Sequence, residues 1–172
     1  SRFRYIMIGF ATLLFMGVGL AWSIFVVPVE TLFGWTRAQT SLVFTINILC
    51  FSVGSILAGV FSKRLQYQHI LKIAAVMIAL GFVLSGSVKE VWQLYLTYGV
   101  IAGSGIGMGY NCIISSCPIW MPEKSATATG LLLMGYALST AIFGPVLNTL
   151  INLIGIVNTF RVLGILCGSC IF

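Results

Sequence analysis

Tyr5 to Val27 reads YIMIGFATLLFMGVGLAWSIFVV, 23 residues without a charge. About 20 apolar residues in a helix cross the hydrocarbon core of a bilayer, so this run is a membrane span by length and composition. The pattern recurs along the chain. Ala38 to Ser62 is a second apolar stretch, and Ile70 to Val88 a third, in which Lys72 snorkels to the interface. Val91 to Pro122 and Ser125 to Phe160 carry no charge at all. Pro28 to Arg37, the polar segment Lys63 to His69, the pair Lys89-Glu90 and the prolines Pro118 and Pro122 mark the breaks. The expected fold is an all-α membrane protein: one domain over residues 1–172, with helices at about 5–27, 38–62, 70–88, 91–117, 126–150 and 159–172. The last has only 14 residues, fewer than a span needs, so the chain is expected to stop inside a truncated sixth helix.

Composition supports lipid as the main solvent. The 172 residues include nine Lys or Arg, three Glu and no Asp; charged residues make up 7% and hydrophobic ones 59%. Soluble globular chains are about 25% charged. The net charge of +6 does not point to nucleic acid, because the cations are scattered and the longest run is Lys63-Arg64. Their placement instead orients the chain. Arg2, Arg4, Lys63, Arg64, Lys72 and Lys124 fall on one side, against Arg37, Lys89 and Arg161 on the other. The positive-inside rule then puts the N-terminus in the cytoplasm, of a cell whose plasma membrane holds the protein.

Chemistry has few parts to work with. Five cysteines, an odd number, all lie in apolar segments, which argues against a disulfide framework. Gly103-Ser104-Gly105-Ile106-Gly107 fails the dinucleotide spacing, since Met108 and Tyr110 stand where the third glycine would be. With no Asp, no Glu expected at membrane depth and one histidine, His69, in a loop, acid-base or metal catalysis lacks its groups. No enzyme activity, cofactor or metal is expected.

Two features remain. Gly99, Gly103 and Gly107 recur every four residues on one face of the fourth helix, while Gly105 and Gly109 lie about 200° away. Small residues let membrane helices approach closely, so this helix is expected to sit between two neighbours. Polar groups at membrane depth need a partner, water or a ligand. Trp22, Ser23, Thr45, Asn47, Tyr110, Asn111 and Tyr136 are such groups. Together they describe a mildly polar, aromatic and uncharged interior, suited to a transport cavity for a small solute.

The motifs also carry a family likeness. Ala21-Trp22-Ser23-Ile24-Phe25 with Pro28, then Gly34-Trp35-Thr36-Arg37 and Ser41-Leu42-Val43-Phe44-Thr45-Ile46, resembles the first two helices of the oxalate/formate antiporter family. That family belongs to the major facilitator superfamily and is related to the monocarboxylate transporters. Trp92 to Val100, Trp120-Met121-Pro122-Glu123-Lys124 and Ala128-Thr129-Gly130 follow in the family's order. The resemblance implies the N-terminal six-helix half of a twelve-helix carrier working by alternating access, with substrate bound between the halves. It implies a small organic anion such as oxalate, formate, lactate or pyruvate, moved by antiport or proton symport, and anion-binding cations in the C-terminal half. It also points to a cytoplasmic gate loop, of which Gly59 and Arg64 match the superfamily pattern while Lys63 replaces its Asp. A carrier of a neutral or drug-like solute shares the fold but fits the Ala-Trp-Ser and Gly-Trp-Thr motifs less well. A membrane sensor or interaction module would call for long loops or soluble extensions, which this sequence does not display.

Overall fold

In lipid the backbone must satisfy its own polar groups, and a helix does so within one segment. A computed structural model describes residues 2–171, and the described elements are all helical. Ser1 and Phe172, the outer limits of the expected domain and of the sixth helix, lie outside them. The first span, α1, is Arg4–Phe33. It is not uniform: the α-helix Arg2–Met16 tightens to a 3-10 stretch at Gly17–Ala21 and resumes as Trp22–Phe33. It does not end at Val27, as expected, but takes Pro28 inside the helix. Its stop is Gly34, at φ 68°, whose N–H bonds the Glu30 carbonyl at 2.9 Å. A left-handed residue there favours glycine.

α2 (Arg37–Phe61) starts on a capping box. The Gln39 N–H donates to Thr36 Oγ1 and the Thr36 N–H donates to Gln39 Oε1. α3 is Tyr67–Ser85 and α4 is Val91–Trp120. The latter begins as α-helix, widens to a π stretch at Tyr95–Ala102 and returns to α-helix over Gly103–Trp120. It carries Pro118 inside and so runs past the expected end at Cys117.

The last helical run, Ser125–Ile171, has 47 residues. At 1.5 Å per residue that is about 70 Å, more than twice the hydrocarbon thickness of roughly 30 Å. Gly155, at φ 78° and ψ 163°, divides it into α5 (125–154) and α6 (156–171). The connection expected between the helices at about 126–150 and 159–172 is therefore a single-residue break, in a conformation open in practice to glycine alone. The chain reverses there. α5 runs parallel to α1, with Gly135 against Phe10 and Gly144 against Ile24. α6 runs antiparallel to it, with Phe160 against Phe25 and Cys167 against Phe15.

Glycines set the tightest contacts. A Cβ on Gly103 would lie 2.7 Å from the Asn47 carbonyl oxygen, and one on Gly107 would collide with the Phe51 carbonyl, both on α2. From α2, Gly54 meets the Ser104 backbone in return. On the other side of α4, a Cβ on Gly105 would stand 2.9 Å from Met77 Cβ of α3. α4 is thus clasped between α2 and α3, backbone against backbone. Outward-facing Ile56, Ile119 and Leu153 are exposed and apolar, a surface for lipid.

Gly107→Val should lower the thermal midpoint of the full-length protein in detergent, by about 1–3 kcal/mol of overpacking or more, because Phe51 offers rigid backbone. Gly130→Ala, on an exposed stretch of α5 with nothing within 4 Å, should leave the midpoint unchanged or raise it by up to about 1 kcal/mol of helix propensity. Equal effects in both would contradict the packing.

Candidate functional site

The polar core of the bundle forms where two irregular backbones face each other. The 3-10 stretch of α1 brings the Gly19 carbonyl to the Tyr98 hydroxyl, which donates to it at 2.9 Å. Tyr98 lies in the π stretch of α4 and is fully buried. Its own carbonyl accepts the Gly103 N–H, five residues on, and the Asn47 side-chain amide at 2.8 Å. Rings close around it: Trp22 at 4.6 Å between centroids, Phe82 edge-on at 5.5 Å and Phe160 at 6.2 Å. The Trp22 Nε1–H donates to the Thr40 carbonyl at 3.0 Å. One residue therefore ties together α1, α2, α3, α4 and α6. Sequence reasoning quoted Tyr98 within a motif but did not count it among the polar groups. Its place beside Gly99, at the start of the small-residue stripe, was the available signal.

Two cavities border this core, and Leu20 lines both. The inner one, of about 300 Å³, is walled by Gly19, Asn47, Phe51, Ile106, Tyr110 and Tyr136. It draws on α1, α2, α4 and α5. The Tyr110 ring sits between Phe51 at 5.3 Å and Tyr136 at 5.1 Å, tilted by 55° and 56° against them. Neither tyrosine hydroxyl has a hydrogen-bond partner among the described residues, whereas Asn47 spends its amide nitrogen on Tyr98. The second cavity, of about 500 Å³, lies between α1 and α2 and includes Trp22, Ser23, Arg37, Ser41 and Thr45. Arg37 is the charged residue among the linings of these two cavities. A recess of about 570 Å³ at the Gly155 break, between Pro28, Thr31 and Asn152, touches none of the residues singled out from the sequence.

The seven polar residues expected in one cavity are thus divided. Asn47, Tyr110 and Tyr136 meet at the inner cavity, and Trp22, Ser23 and Thr45 at the outer. Asn111 lines neither, because one residue along a helix is about 100° around it from Tyr110. Trp22 is mainly a core residue, with 3% exposure and its polar atom bonded inward. At the opposite end, Gly59 is exposed on the last turn of α2. Lys63 and Arg64 are exposed in the turn that follows, closed by Arg64 N–H on the Phe61 carbonyl at 2.9 Å. Among the described residues the ion pair is elsewhere. Arg37 Nε lies 3.0 Å from Glu30 Oε1, which also accepts the Thr40 hydroxyl at 2.7 Å. Glu30 had been read as a loop residue; the longer α1 makes it part of the helix.

Comparison with known proteins adds an independent observation. The sequence profile of the Major Facilitator Superfamily matches residues 7–172. The oxalate:formate antiporter of Oxalobacter formigenes is 26% identical over 152 residues, 88% of this chain and 36% of the antiporter. Human monocarboxylate transporter 12 is 31% identical over 134 residues, covering 76% of this chain and 25% of the transporter. Rat monocarboxylate transporter 13 is 25% identical over 143 residues, 83% of this chain and 33% of that protein. The chain spans between a quarter and just over a third of the length of these relatives.

Removing the core's polar ties should register as lost stability. Tyr98→Phe is expected to cost about 1–3 kcal/mol, by orphaning the Gly19 carbonyl and losing a buried bond. Trp22→Ala is expected to cost about 3–5 kcal/mol. Both are measured by thermal unfolding of the full-length protein; a midpoint unmoved by Tyr98→Phe would refute the hydrogen bond's role.

Proposed function

Since the chain belongs to the Major Facilitator Superfamily, and is by its helices an integral multi-pass membrane protein, we propose that it supplies part of a secondary carrier of small organic anions. The observation that carries this reading is the inner cavity. Two tyrosine hydroxyls without a partner among the described residues line a small space whose described lining carries no charge. A phenol O–H donating to a carboxylate makes one of the stronger kinds of hydrogen bond. The aromatic faces meanwhile fit the short carbon skeleton of a mono- or dicarboxylate. The names of two relatives, an oxalate:formate antiporter and a monocarboxylate transporter, agree with that chemistry.

In this reading, residues 1–172 are the N-terminal six-helix half, with the N-terminus cytoplasmic in the plasma membrane. A C-terminal six-helix half faces the cavity side and supplies further cations for the anion. α1 and α4 carry the substrate wall, with α2 and α5 beside them. Rocking of the two halves exposes the cavity to one side and then the other, by exchange or together with a proton. The glycine stripe Gly99, Gly103 and Gly107 holds α4 to α2 so that this half moves as one unit. The turn at Gly59, Lys63 and Arg64 serves as the cytoplasmic gate, with Lys63 in place of an acidic residue. The absence of charge around the inner cavity also favours, as a second reading, a carrier of a neutral solute.

The test is exchange of labelled oxalate, formate, lactate or pyruvate by the full-length protein in liposomes. Saturable uptake against internal anion is expected. Tyr110→Ala should raise KM by about tenfold, the equivalent of one lost contact of 1.4 kcal/mol. Uptake of neutral solutes with none of these anions would transfer the assignment to the second reading.

A further inference from the structure

The outer cavity holds a feature that the inner one does not require. Arg37 opens α2 directly after the Thr36 cap and lines the cavity mouth, with its side chain 67% exposed. Glu30 is much better covered, at 20% exposure, and is fixed from two sides: by the Thr40 hydroxyl at 2.7 Å and by Arg37 Nε at 3.0 Å. So exposed an ion pair adds little to stability. Its geometric effect is definite, however. A guanidinium has five N–H donors in a planar fork, and here it is Nε that lies against Glu30, at 3.0 Å. Beyond Glu30, the two terminal amino groups have no partner among the described residues. They form the end-on face of the fork, whose spacing matches the two oxygens of a carboxylate.

The wall below continues the polar track. Ser23 and Ser41 line the same cavity and make no side-chain hydrogen bond among the described residues, while Thr45 bonds back to the Ser41 carbonyl. Leu20 then separates this cavity from the one walled by Tyr110 and Tyr136.

We propose that the α1–α2 cavity is a receiving vestibule for carboxylates, in which Arg37, oriented at Nε by Glu30, binds the anion end-on before it passes Leu20 to the tyrosine-lined cavity. This rests on the organic-anion reading above and adds a binding residue to it. Glu30 has two effects. It holds the fork in place, and its negative charge offsets part of the attraction, so that the anion is captured without being trapped.

The two roles predict opposite signs, which a merely structural ion pair would not produce. The experiment is the concentration dependence of labelled carboxylate uptake by the full-length transporter in liposomes, at matched protein content. Arg37→Gln should raise KM by about tenfold or more, one charge-assisted contact being worth at least that factor. Arg37→Lys keeps the charge without the fork and should raise KM by about threefold. Glu30→Gln keeps an acceptor for Nε and removes the opposing charge, so KM should fall by about threefold. An unchanged KM in Arg37→Gln overturns the vestibule and leaves the anion carrier standing. A rise in KM for Glu30→Gln equal to that for Arg37→Gln also overturns it, by making the pair structural. If Arg37→Gln does not assemble, Arg37→Lys and Glu30→Gln decide, and wild-type KM in both overturns the proposal. No carboxylate uptake by wild type, with uptake of a neutral solute, overturns the anion reading and the vestibule together.

Discussion

The bundle is organised around one buried phenol. A hydroxyl shut away from water without a partner costs several kcal/mol, and lipid supplies no partner. Tyr98 meets that demand at the Gly19 carbonyl. The backbone there has left regular α-geometry, as Ala21 at ψ 18° also records. Its own main chain is irregular in the opposite sense: a tightened 3-10 stretch in α1 faces a widened π stretch in α4. Such departures often mark functional positions in helices. Here Gly19 and Asn47, both bonded to Tyr98, also line the inner cavity. The cavity wall and the packing centre therefore share Gly19 and Asn47.

Around that centre, rigidity and reversal are both assigned to glycine, for different reasons. In α4 it is absence of volume that matters: the Asn47 and Phe51 backbones of α2 occupy the space that a Cβ would take. Between α5 and α6 it is conformation, since Gly155 has open space around it and a backbone angle that other residues avoid. The first arrangement resists sliding of α4 against α2. The second turns the chain in a single residue, so that α6 returns along α1 and brings Phe160 to both Phe25 and Tyr98.

Charge is distributed by depth. The inner cavity has none, and the outer has Arg37 at its mouth with Glu30 behind it. An anion moving inward would exchange ionic contact for neutral donors and aromatic surface. On the proposed anion reading, that order would keep any single site from holding the anion too tightly, a requirement of carriers as well as of channels.

Much of this was legible in sequence. Charge-free runs of membrane length dictate helices, because backbone groups in lipid have no other partners, and the four-residue glycine spacing marks the closely packed faces of α4. The family could be read from motifs in order. Helix ends were less legible. Proline suggested stops at Val27 and Cys117, yet a membrane helix absorbs a missing N–H, and it was the αL residue Gly34 that ended α1. The site was legible as a list but not as a partition. Which polar groups meet depends on the rotation of each helix about its axis, and local sequence does not specify that angle. Tertiary packing set Trp22 against Tyr98, left Asn111 off both cavities, and brought Glu30, Arg37 and Thr40 together across the α1–α2 connection. Composition and periodicity alone determined that the chain is a bundle of membrane helices with a neutral polar interior. Only tertiary contacts decided where that interior opens and which side chains face it, because long-range contacts alone set the rotation of each helix.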